Sequence, residues 1–143
     1  MIVAIGNPVY DEIQTPFVRT EARVLSGCST NACLVLRKLG YRDVRLVGNV
    51  GPDFLEPFER DMARFGLAYD VRLSPQTGGF RLIYNHSGDR TLDVLGVAGP
   101  VRHLPARWEG TEFVLFGPIL QEVDLDLIRQ VRERTAAPFF LDP

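Results

Sequence analysis

The chain has 143 residues and a net charge of −2, with 45% hydrophobic and 24% charged side chains, the composition of one globular domain with a real core and not of a disordered segment. Its 16 basic residues are scattered, and all but Lys38 are arginine, so no basic stripe marks a nucleic-acid partner. No apolar run reaches the roughly 20 residues of a membrane helix, and the opening MIVAIGNP lacks the basic and apolar regions of a secretory signal.

In chain order, Ile2–Ile5 is a short apolar run ending in Gly6, Asn7 and Pro8, which predicts a buried strand meeting a turn. From Val18 to Val24 apolar and charged residues alternate, predicting a strand with one covered face. Thr30–Leu39 reads as a helix closed by Gly40. Val44–Val50 is the next strand. Phe54, Leu55, Phe58, Met62 and Phe65 then form a helical stripe, with regular helix from near Glu56 and Pro57 in its first turn. Between Tyr69 and Val97, short strands are broken by Gly78-Gly79 and Ser87-Gly88-Asp89, which predicts a hairpin. The α/β rhythm returns with strand Phe113–Phe116, a helix near Asp124–Arg134 and strand Phe139–Leu141. The fold class is α/β: a mostly parallel sheet with helical crossovers, under a small β lid drawn from residues 17–25 and 69–97. The chain stops directly after a core strand, so further chain is expected to cover that edge.

Ligands of open α/β sheets bind at the carboxyl ends of the strands, and three features fall there. Asp11 follows the first strand, and a carboxylate can accept hydrogen bonds from two neighbouring hydroxyls; an Asp there also serves as a turn or cap residue. Ser26-Gly27-Cys28-Ser29-Thr30-Asn31 leads into a helix, where small side chains admit a ligand and free N–H groups meet an oxygen-rich one; a plain loop-to-helix junction has the same composition. The segment from Tyr69 to Val97 suits either a water-excluding lid or a hairpin packed on the sheet edge. Cys28 and Cys33 are spaced for neither a redox pair nor a zinc knuckle, and a cytoplasmic location is expected. His86 and His103 lie far apart without a ligand pattern, so no metal site is expected.

Taken in order, GNPVYD, SGCSTN, KLGYRDVRLVGNVGPD, QTGGFRLIYNHSGDR and FLDP resemble the amino-terminal half of the ribokinase-like (PfkB) carbohydrate kinase family, over residues 2–143. The resemblance implies a ribokinase-like domain in which Asp11 binds sugar hydroxyls and Gly27 and Cys28 belong to the substrate loop. Asn31 closes that loop, and Phe80 contacts the substrate from the lid. It implies ATP-dependent phosphorylation of a sugar, sugar acid or nucleoside hydroxyl by the intact enzyme, with ATP and Mg²⁺ held mainly elsewhere. The family's catalytic base is an Asp in a late Gly-Ala-Gly-Asp motif. This chain contains no such motif, so the resemblance places that base beyond Pro143 and leaves no catalytic residue here. Expected partners are a small polyhydroxy substrate, a second copy through the β lid, and a carboxy-terminal half as a separate chain. The alternative is a non-catalytic sugar-binding or dimerisation subunit.

Overall fold

In the computed structural model, which describes residues 1–142, the run Ile2–Ile5 forms β1 at the centre of a five-stranded sheet. Its neighbours are β4 (Val44–Val50) and β8 (Phe113–Phe116), followed outward by β5 (Ala68–Leu73) and β9 (Phe139–Leu141), and every pairing is parallel. A parallel sheet is covered on both faces, so its inner strands read as unbroken apolar runs. In β1, Ile2 and Ala4 face one core cluster while Val3 and Ile5 face the other.

The first cluster is closed by α1 (Cys28–Lys38) and α2 (Leu55–Phe65) through Cys33, Phe58 and Met62. The second is closed by α3 (Leu125–Arg134) through Leu127 and Val131. Local chemistry sets the helix ends. Asp124 caps α3, its side chain accepting the Leu127 N–H at 2.8 Å. Gly40, at φ +95°, ends α1: its N–H donates to Arg37 O, and Tyr41 N–H reaches back to Leu36 O. Pro57 sits in the first turn of α2, where it removes no helical hydrogen bond. No described helix is long and apolar enough to cross a membrane.

A second sheet, ordered β3-β2-β6-β7, is built from β2 (Val9–Gln14), β3 (Val24–Ser26), β6 (Gly79–Tyr84) and β7 (Arg90–Gly96). It differs from the sequence expectation in three ways. Residues 17–23 carry no regular strand, only a bridge from Arg19 to Gln14. Thr15 Oγ1 takes the Phe17 and Val18 N–H groups into a turn, and Phe17 and Val18 remain exposed, so the alternating pattern covers nothing. The GNPVYD turn runs directly into strand β2, which pairs with both β3 and β6. Residues 69–73 leave the lid altogether: as part of β5 they pair in parallel with β4 and end the main sheet.

Phe58 is fully buried, and its ring meets Tyr69 edge-on at 5.0 Å. Replacing it with alanine removes the largest buried side chain that α2 packs on the sheet and leaves Met62 beside a cavity. Phe58→Ala is expected to cost about 3–5 kcal/mol, seen as a lower urea midpoint with an unchanged slope.

Candidate functional site

Strands β1, β4, β5 and β8 run parallel, so their carboxyl ends share one rim. There the chain turns inside the protein and its backbone groups need partners away from water. Asn7 joins the ends of β1 and β4: its Oδ1 accepts the Asn49 N–H at 2.7 Å and its Nδ2 donates to Gly99 O at 2.9 Å. Asn49 Nδ2 donates to Gly99 O and Pro100 O, while Ser74 Oγ accepts the Gly99 N–H. Thr77 Oγ1 accepts the Gly51 N–H at 2.8 Å and donates to Asp53 Oδ1 at 2.8 Å. Glu122, only 2% exposed, ties β8 to β1 by accepting the Asn7 N–H at 3.3 Å and the Ile119 N–H at 2.6 Å. Burial pushes the Glu122 carboxyl above its ordinary range, against the pull of those N–H groups.

The start of α1 rests on this rim. Ser29 Oγ donates to Ile5 O at 2.9 Å, and a Cβ on Gly6 would collide with Gly117 O and Ser29 Oγ. Gly27 stands immediately before the helix at φ +109°, and its Cα faces Asn7 O and Val9 N. A side chain there would be strained in backbone and short of space. No side chain caps α1, so its first N–H groups stay available to an oxygen-rich ligand.

The second sheet supplies Asp11 and Phe80. Asp11 is 3% exposed, and its Oδ1 accepts the Phe80 N–H at 2.8 Å, beside the register shift between Gly79 and Phe80. Among the described residues no donor reaches Asp11 Oδ2, and that oxygen is not among the fully buried unpartnered atoms. One oxygen is fixed, and the other accepts no hydrogen bond from the described residues. Alternation along β2 and β6 places Ile13, Phe80 and Leu82 on the Asp11 side, while the Glu12–Arg81 ion pair lies on the opposite face.

Of the residues singled out from the sequence, Asp11 and Phe80 are directly bonded, with Gly27 beside the start of β2. Cys28 and Asn31 line a different feature, an apolar cleft between α1 and β8–β9 that also includes Phe113, Phe140 and Asp142. Cys28 Sγ lies 2.7 Å from Asp142 Oδ2; burial first and that carboxylate second push the thiol up to about 12, so it carries no nucleophilic thiolate near neutral pH. Asn7, Asn49, Asp53, Thr77 and Glu122 were not singled out. Asn7 and Asp53 each stand as the lone polar residue in a short turn with Gly and Pro just past a strand, and that placement is the signal that could have found them; Asn49 lies within β4, and Thr77 and Glu122 share longer turns with other polar residues.

No family model and no curated protein matches the chain. Solved structures do. A Burkholderia thailandensis nucleoside kinase in complex with inosine superposes with a TM-score of 0.82 at 20% identity, covering 100% of this chain and 51% of the kinase. A pyrophosphate-dependent kinase in the ribokinase family, complexed with a pyrophosphate analog and myo-inositol, gives 0.76 at 19% identity over 99% of this chain and 48% of its own. Ribokinase from Giardia lamblia gives 0.76 at 19% over 99% and 54%. The fold is that of the amino-terminal half of ribokinase-family kinases, and the chain spans about half the length of the structures it matches.

Glu122 gives this arrangement a pH signature. Its folded-state value lies above the ordinary 4.5, so between those two values the folded state holds more proton than the unfolded one and stability falls as pH rises. Glu122→Gln removes this dependence. The stability of the variant relative to the parent is expected to rise with pH across that window and level off above it, as followed by thermal melts at a series of pH values.

Proposed function

We propose that the chain is the substrate-gripping half of an ATP-dependent kinase acting on a hydroxyl of a sugar, sugar acid or nucleoside. The observation that carries this reading is the Asp11–Phe80 link, with one carboxylate oxygen held by the N–H of a flap strand and the other open. An anchored carboxylate accepts from a ligand diol without first losing side-chain freedom. Gly27 lets the ligand approach the start of α1, and Phe80 contributes from the flap, whereas Cys28 and Asn31 face the separate cleft between α1 and β8–β9. The second sheet limits water around the bound hydroxyl. The flap is drawn from β2, β3, β6 and β7.

The residues of this chain do not fit the phosphoryl donor. Among the described residues no group of three or more His, Cys, Asp or Glu side chains could hold a metal ion, and the turns after β1, β4, β5 and β8 carry no basic residue to meet a polyphosphate. No transfer step is therefore assigned to this chain. ATP, Mg²⁺ and the catalytic base belong to a carboxy-terminal half, in the same or a separate polypeptide. One matched structure is described as pyrophosphate-dependent, so pyrophosphate is the competing donor.

A second reading, a non-catalytic sugar-binding or dimerisation subunit, draws on the flap surface. Val24, Leu92 and Val94 lie there 38%, 47% and 51% exposed, an apolar face that a second copy would cover. Sedimentation at increasing concentration tests the dimer that this reading requires: reversible dimerisation lost in a Leu92→Glu variant supports it, and a monomer at every concentration removes it.

Calorimetric titration with ribose, inosine and myo-inositol tests the pocket itself. At least one is expected to bind, and Asp11→Ala is expected to weaken it about tenfold or more while circular dichroism stays unchanged. A folded Asp11→Ala variant that binds as tightly as the parent removes the role of Asp11.

A further inference from the structure

We infer that the groove between α2 and β3, the edge strand of the flap, is a binding site for a small aromatic phosphate monoester, separate from the site at the rim. The groove encloses about 610 Å³, a volume within the range of small-molecule sites. Tyr10 lines it, whereas Asp11, the next residue of β2, turns to the opposite face of that strand. The flap strand therefore stands between the two sites.

One wall is a stripe on α2. Pro57, Arg60, Asp61, Arg64 and Phe65 recur at the spacing of a single helical face, and all five line the groove. Arg23 and Leu25 face them from the flap, and Leu34 of α1 contributes to the floor. Leu25, Leu34, Pro57 and Phe65 are each only half-buried, so apolar surface is left for a ligand to cover. Two guanidinium groups already lie against rings here: Arg23 over Phe54 at 4.6 Å and Arg64 over Phe65 at 5.5 Å. Layers of planar cation and ring suit a flat aromatic body.

The charges select what that body carries. Three arginines and one carboxylate line the groove. The carboxylate, Asp61, is taken up by the Tyr10 hydroxyl, which donates to it at 2.8 Å. Arg60 and Arg64 are exposed one turn apart, and neither forms an ion pair among the described residues. Arg23 is half-buried and also lacks a carboxylate; it donates to Tyr10 O at 2.7 Å and to Gly78 O at 3.5 Å, which leaves other N–H groups of its guanidinium uncommitted. Like charges one turn apart repel, and a cation drawn partly out of water calls for an anion. The surplus of two positive charges matches a phosphate monoester, which carries about −1.5 to −2 near pH 7 and accepts paired hydrogen bonds from guanidinium. A carboxylate would neutralise half of it. Inorganic phosphate would answer the charge and leave the apolar floor wet.

The test is calorimetric titration at low ionic strength with phenyl phosphate, inorganic phosphate and phenol. Phenyl phosphate is expected to bind at least about tenfold tighter than either of the others, because each of them satisfies one half of the groove. An Arg60→Gln, Arg64→Gln double variant, altered only at exposed positions, is expected to keep its circular dichroism and to weaken phenyl phosphate about tenfold or more. Arg72→Gln, an exposed arginine at the end of β5 and outside the groove, is expected to bind as the parent does. Phenyl phosphate that binds no tighter than inorganic phosphate shows an adventitious ion only and overturns the inference. Affinity that survives the double variant, or that falls in Arg72→Gln instead, places the anion elsewhere and also overturns it, as does the absence of binding. Self-association that the double variant abolishes assigns the groove to a second copy of the chain and overturns it too.

Discussion

A polar backbone group taken out of water must be given another partner, and at the carboxyl rim of this sheet that requirement shapes everything around it. Four parallel strands end together, and each must turn where helices already cover both faces. Asn7, Asn49, Ser74, Thr77, Asp53 and Glu122 take up the peptide groups that the turns leave over. The result is a rim held by short side chains with nearly fixed positions. Rigidity at the rim is what a binding site needs, since affinity is lost when groups must be ordered at the moment of contact.

The flap extends the same logic. β2 leaves the rim only three residues after β1, so the strand bearing Asp11 has little freedom relative to the main sheet. At the irregular point in β6, Asp11 takes the Phe80 N–H and thereby locks two flap strands together. The same side chain stabilises the flap and, in the function proposed here, presents its second oxygen to a ligand. Glycines complete the fit where atoms come closest: at Gly6 and Gly27 an added Cβ would press on backbone or on α1.

How much of this was legible depends on the range of the contacts. β1, β4 and β8 announce themselves as apolar runs because both their faces are buried, and Asp124 and Gly40 mark helix ends through local chemistry. β5 was misplaced because AYDVRL, on an exposed edge, has no buried run, and only its long-range pairing with β4 assigns it to the main sheet. Val18–Val24 misled in the opposite way: the alternation is real, but before Val24 joins β3 only the Arg19–Gln14 bridge pairs it, and no core lies opposite Val18. Asp11 stood out as an acidic residue beside a turn, whereas its bond to Phe80 spans 69 positions and leaves no mark in either neighbourhood. The Asn7–Asn49 and Glu122–Asn7 links, across 42 and 115 positions, were hidden for the same reason.

The account turns on Asp11 holding the flap with one oxygen while offering the other to a polyol. Residue-resolved hydrogen exchange by NMR reads this at the Phe80 amide. The account predicts that this amide is protected in the free chain, loses that protection selectively in Asp11→Ala, and becomes slower still when the parent is saturated with a neutral polyol that the variant binds poorly. A Phe80 amide that exchanges alike in parent and variant, and is indifferent to the polyol, would contradict it.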